Sequence, residues 1–172
     1  FKGDEVAMEI LRDGKKQNLT LVLNNPWPFS MQARAYDTRP RFILVGGLLF
    51  QPLNRDFLDT QKNVDTRLRY FFDYFTADHL YRDHPEVIVL SDVLTDQVNT
   101  YATPFRGSIV SRINNKPVRT LKDVATAFDE PGDFHVIELL GQGRPIVLDR
   151  STLKEAAARI KQRYGVSSEE NL

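Results

Sequence analysis

No cysteine occurs in the 172 residues. Disulfides, thiol catalysis and zinc–thiolate sites are therefore excluded. Charge of neither sign is in excess: 23 Lys and Arg balance 23 Asp and Glu. Nucleic-acid binding draws most of its affinity from neutralised phosphates and needs a basic excess, so nucleic acid is not an expected partner. The densest basic run, Arg34, Arg39 and Arg41, has Asp37 inside it. The longest apolar run, Phe42 to Phe50, falls well short of the roughly 20 residues that span a bilayer. No signal peptide and no initiator Met are present, which predicts a segment of a longer chain.

Catalytic patterns are missing too. Neither Gly-x-Ser-x-Gly nor Gly-Asn-Ser-Gly-Gly occurs, and Ser108, after Gly107, opens a strand. No nucleophile, base and acid constellation can be assembled, so no catalytic residue and no cofactor are expected. Asp78-His79 and Asp83-His84 invite a metal reading. On a helix His79 and Asp83 would share a face, but His79 and His84 would diverge by about 140°. Surface polar residues are the expectation there, and no metal. His135 lies inside a strand and reads as a hydrogen-bonded side chain. Gly141-Gln142-Gly143 precedes a strand and not a helix, so it reads as a hairpin turn and not a phosphate cradle.

What is present is organised around Gly107 to Asp149. Ile109, Val110 and Ile113 mark a strand. Asn114-Asn115-Lys116-Pro117 supplies a turn, since Asn tolerates positive φ and Pro cannot continue a ladder. Thr120 is a predicted N-cap. Leu121, Val124, Ala125 and Phe128 follow at the i, i+3, i+4, i+7 spacing of a core-facing helix. Pro131-Gly132 stops it, and two strands follow around Gly141-Gln142-Gly143.

This strand, helix, strand, strand order, carrying INNKPV and a helix opened by Thr-Leu, resembles the second half of a PDZ domain. Upstream, FILVGGLLFQPL (42–53) stands where that family has a strand, a glycine loop and the groove strand. GGLLFQPL, an aromatic helix, VIVLSDVLTDQVN, INNKPVRTLKDV and the tail RYGVSSEENL in this order resemble the C-terminal region of Deg/HtrA-type serine proteases with an atypical second PDZ domain. The resemblance covers nearly the whole chain. It implies an α+β fold: a PDZ-like, partly open β-barrel with flanking helices and an extra aromatic helix, preceded by a β-hairpin. The implied parts are a hairpin over 1–25, the remnant of a preceding PDZ domain; a linker over 26–41; the PDZ-like domain over 42–164; and a tail over 165–172.

The residues agree with that division. Val6, Met8 and Ile10 alternate, Asp13-Gly14 turns, and Leu19, Leu21 and Leu23 alternate back. So apolar a hairpin should dock, either on the body or on the same hairpin of a second chain. Pro26, Pro28 and Pro40 punctuate the linker, with Trp27 and Phe29 as anchors for a crossing loop. Asn54 to Thr60 reads as a helical turn. Val64, Leu68, Phe71, Phe72 and Phe75 predict an amphipathic helix packed on the barrel, with a partner-binding helix as the alternative. Asp92 to Val98 reads as a short helix. Ser151 is the expected cap of a last helix striped by Leu153, Ala156, Ala157 and Ile160, which Gly165 ends.

Two functions fit. One is a non-catalytic regulatory and assembly module, whose partners are other domains or subunits of the same protease, including a homo-oligomer. The other is a peptide-binding module that captures protein or peptide C-termini by adding them as a strand. For the second, the resemblance implies a groove of Gly46, Gly47, Leu48, Leu49 and Phe50 faced by Leu121, Ala125 and Phe128. The tail ends in an apolar residue and reads either as a frayed end or as the occupant of such a groove. Bacterial members of the family imply a periplasmic or cell-envelope location.

Overall fold

The structure is a computed structural model that describes residues 3–23, 31–36 and 38–172. Three strand pairs are set by two-residue turns in which both residues have positive φ, the geometry whose twist matches that of paired strands. Asp13 (φ 53°) and Gly14 (φ 72°) join β1 (Glu5–Arg12) to β2 (Lys15–Val22). Gly46 (φ 55°) and Gly47 (φ 80°) join β3 (Phe42–Val45) to β4 (Leu48–Pro52). Asn114 (φ 50°) and Asn115 (φ 64°) join β6 (Val110–Ile113) to β7 (Lys116–Pro117).

Two four-stranded antiparallel sheets form the body. One runs β10 (Glu170–Asn171), β3, β4, β5 (Ile88–Val93). The other runs β7, β6, β8 (Phe134–Leu139), β9 (Ile146–Asp149). They join where Leu90 N donates to Ser108 O at 2.9 Å and Gly107 N to Leu90 O at 2.8 Å. The result is the partly open barrel that the resemblance implied. Ile43, Leu48, Phe50, Leu90, Ile137 and Leu148 are among the side chains that fill it. The alternate residues Leu44 and Leu49 face the other way, onto helix α4 (Arg150–Tyr164). A strand buried on both faces explains why 42–50 reads as a continuous apolar run.

Helix α3 (Leu121–Asp129) has a reciprocal cap. Asp123 N donates to Thr120 Oγ1 at 3.2 Å, and Thr120 N to Asp123 Oδ2 at 2.8 Å. Glu86 adds a further acceptor, taking Leu121 N at 2.7 Å while Arg41 holds its other oxygen at 2.5 Å. Helix α1 (Arg55–Thr60) is capped by Asn54, as its sequence indicates. The aromatic helix is α2 (Thr66–Tyr74). It packs on the barrel through Leu68, with Phe75 just beyond its end, against Leu53, Val87, Val89 and Ile109. Tyr70 and Tyr74 remain exposed and stack on each other, centroids 5.3 Å apart.

Several expectations need correction. Asp92 to Val98 is not a helix: β5 continues to Val93, and the chain then turns on buried Asp96 and Asn99. The last helix is capped by Asp149, not Ser151, because it is Asp149 Oδ1 that accepts Ser151 N at 2.9 Å. Of the two docking alternatives for the hairpin, the body is not the one used: every residue of β1 and β2 is exposed except half-buried Ile10. Trp27 and Phe29 lie outside the described residues, while Met31 is buried and accepts Arg55 N at 2.9 Å. The tail is not frayed, since β10 pairs with β3.

The outer edge of β9 is closed by one atom. Val147 N donates to the Tyr101 hydroxyl at 2.8 Å, and that hydroxyl donates to Val147 O.

Gly47 is irreplaceable in this frame. A Cβ there would lie 2.3 Å from both Asn99 Nδ2 and Leu94 O, on a positive φ. Gly47→Ala is expected to lower unfolding free energy by about 2 kcal/mol or more, measured by urea titration. Wild-type stability would show that the turn is not held as described.

Candidate functional site

The groove implied by the sequence has two walls, strand β4 and helix α3. Both are where the resemblance places them: α3 lies along β3 and β4, with Phe128 and Phe50 ring centroids 5.7 Å apart. The space between them is not open. β4 is hydrogen-bonded on one side to β5 and on the other to β3. β3 runs antiparallel to β4 and ends at Gly46, so it holds the place and direction that an added peptide strand would take. Its pairing, Val45 with Leu48 and Ile43 with Phe50, uses the backbone groups that a ligand would need.

The expected site residues separate by where they face. Leu48, Phe50 and Leu121, expected along the groove, have 0% exposure and pack in the core. Leu49 is half-buried on the opposite face, toward α4. Gly46, Ala125 and Phe128 do meet around an open recess, in front of β3 and not of β4. The strand before the glycines was expected; what the sequence did not reveal is that it pairs along the groove side of β4.

The glycine turn is also roofed and tied. A Cβ on Gly46 would lie 2.8 Å from Leu153 of α4. Asn99, fully buried, donates through Nδ2 to Gly46 O at 2.7 Å and to Leu94 O at 2.9 Å, while its Oδ1 accepts Asp96 N at 2.9 Å. Leu94 N completes the tie by donating to Gly47 O at 2.8 Å. Asp96 is clamped in turn by Arg159 of α4, with Nη2 at 2.7 Å and Nε at 3.1 Å from its two oxygens. The hydrogen bonds from Arg159 hold the Asp96 carboxyl below its ordinary pKa, against the opposing effect of burial.

On the other side of α3, buried His135 packs edge-on against Phe128 at 4.9 Å. Its Nδ1 lies 3.2 Å from Asn114 Nδ2, which also donates to Ala127 O at 2.9 Å. Burial, with the Arg150 charge second, pushes the imidazole pKa below its ordinary value. His79 and His84 are apart from each other, the first beside Tyr81 and the second against Phe71. Among the described residues, no group of three or more His, Cys, Asp or Glu could hold a metal ion. No helix among them is long and apolar enough to cross a membrane.

The Asp96–Arg159 clamp yields a pH prediction. The folded pKa of Asp96 is depressed, so its stabilisation is complete above the unfolded carboxyl value of about 4 and is lost as pH falls through the folded value. Arg159→Met leaves the buried carboxylate without its partner and is expected to cost about 1–3 kcal/mol at pH 7. The variant should also lose less on acidification than the wild type. Parallel pH–stability curves for the two proteins would contradict the clamp.

The family model described as "PDZ domain" matches residues 31–171. Three plant proteins from Arabidopsis thaliana are similar over nearly the whole chain. The chloroplastic Protease Do-like 2 is 25% identical, covering 98% of this chain and 28% of that protein. Putative protease Do-like 3, mitochondrial, is 24% identical over 96% of this chain and 28% of its own length. Protease Do-like 4, mitochondrial, is 23% identical over 96% and 29% respectively. The chain thus spans less than a third of the length of these relatives.

Proposed function

Because the chain belongs to the PDZ-domain family, and is therefore a protein-interaction module, we propose that it serves as a non-catalytic regulatory and assembly module of a Deg/HtrA-type serine protease. Its partners are other domains or subunits of that protease. The similarity to the Do-like proteases supports that reading. One observation carries the choice over capture of free C-termini: β3 already occupies the groove side of β4. A ligand would have to expel a strand that is covalently continuous with the glycine turn and buried at Ile43 and Leu44. Loss of burial at those two side chains would cost about 3–6 kcal/mol.

The exposed hairpin supports the same reading. Val6, Met8, Leu19 and Leu21 share one face of it, by the pairing of Val6 with Leu21 and Met8 with Leu19. Contiguous apolar surface of this kind marks an interaction face. Contacts made there join this module to its neighbours, while catalysis resides elsewhere in the parent protein.

Two measurements test the proposal together. Peptides ending in Val or Leu with a free carboxylate should show no saturable binding in fluorescence polarisation. Sedimentation should show concentration-dependent association of the full chain that is lost when residues 1–24 are removed. Saturable peptide binding, with both chains monomeric at every concentration, would replace assembly with ligand capture.

A further inference from the structure

The strand that fills the groove exposes an edge of its own, and the C-terminal tail sits on it. Leu44 N donates to Glu169 O at 2.7 Å, Ile43 faces Glu170, and Phe42 faces Asn171. The tail fits this edge poorly. On one side of it lies a recess of about 470 Å³ walled by Val45, Ala125, Phe128 and Leu153. On the other lies one of about 660 Å³ walled by Phe42, Leu44, Leu49 and Leu94. Strand side chains alternate between faces, and those of the tail are Ser168, Glu169, Glu170 and Asn171, all small or polar. Glu170, opposite Ile43, is exposed and borders both recesses; it places no apolar side chain in the first, which Asp129 and Lys154 also line.

Val166, at the start of the tail, packs against the cluster of Leu44, Ala156 and Ile160; beyond it, the side-chain contacts that hold the tail are polar. Glu169 pairs with Lys161 at 2.9 Å, each side chain 40% exposed or more. Asn171 Nδ2 donates to Pro40 O at 2.8 Å. Solvated contacts of this kind contribute little. The backbone template is built and its side-chain positions are underfilled.

We propose that the outer edge of β3 is a docking site for an extended segment of a partner protein, with the tail of this chain as its displaceable occupant. The segment carries an apolar residue opposite Ile43, which enters the recess beside Ala125 and Phe128. It carries an acidic residue opposite Leu44, which takes over Lys161. A second copy of this chain is not the partner, because its tail would bring the same polar side chains and gain nothing over the resident one. No free carboxylate is needed, since the segment runs antiparallel to β3 and its C-terminal end lies at Phe42, away from the Gly46–Gly47 turn. The site therefore stands or falls separately from C-terminal capture at β4.

The test uses a fluorescein-labelled, C-terminally amidated peptide of residues 165–172 carrying Glu170→Leu, beside the unsubstituted peptide. The full chain is compared with one ending at Ser167. The shortened chain is expected to bind the substituted peptide about tenfold tighter than the unsubstituted one. The full chain should bind it about tenfold more weakly than the shortened chain, because the tail competes. Hydrogen exchange at the Leu44 amide should be slow in the full chain, fast in the shortened chain, and slow again with peptide. Equal affinity for the two peptides, equal affinity of the two chains, or protection at Leu44 that ignores the peptide would overturn the proposal. If the shortened chain does not fold, the full-length Glu169→Ala, Asn171→Ala double variant replaces it. An affinity for the substituted peptide no higher than that of the wild type would then reject displacement.

Discussion

The pairing of β3 with β4 through Gly46 and Gly47 is the contact on which the rest of the structure depends. It decides that the groove side of β4 is occupied, and it presents Leu44 and Leu49 to α4. It also brings Gly46 under Leu153 and Gly47 against Asn99 and Leu94, where a side chain on either glycine would collide. The tie then runs outward: turn to Asn99, Asn99 to Asp96, Asp96 to Arg159 on the last helix. Each member is buried or partnered. A buried polar network fixes an arrangement firmly when it is fully satisfied. The last helix is therefore integral to the barrel wall.

Local signals were readable in the sequence and distant pairings were not. Asp13-Gly14 and Asn114-Asn115 announce their turns because the residues themselves favour positive φ. Thr120 and Asp123 announce the start of α3, and Leu121 and Val124 its buried face, because a capping box and a helical stripe are complete within a few residues. The aromatic helix was legible for the same reason. Asn99 and Asp96 were not. Their partners Gly46 and Arg159 lie 53 and 63 residues away, and a short polar stretch gives no sign of either.

The candidate site was legible in its walls and not in its contents. GGLLF and the helix from Leu121 were assigned to the elements that do face each other. What those residues could not reveal is which strand lies between them, since register across a hairpin and pairing with a tail are set by tertiary contacts. Ala125 and Phe128 are on an open recess for a reason different from the expected one: the recess belongs to β3. Buried Leu121 shows why a helical stripe alone cannot separate a groove lining from a core lining, as both demand the same apolar spacing.

The single hydroxyl of Tyr101 that closes β9 bears on how copies of this protein can multiply contacts. A sheet with a bare edge can recruit a like edge without limit, and the product is a fibre. Here one lateral boundary of the body is sealed by a phenol and the other carries the tail. Among the described residues, the two-stranded ribbon of β1 and β2 keeps both outer edges unpaired, so strand addition is open at the hairpin and blocked at Val147 of β9.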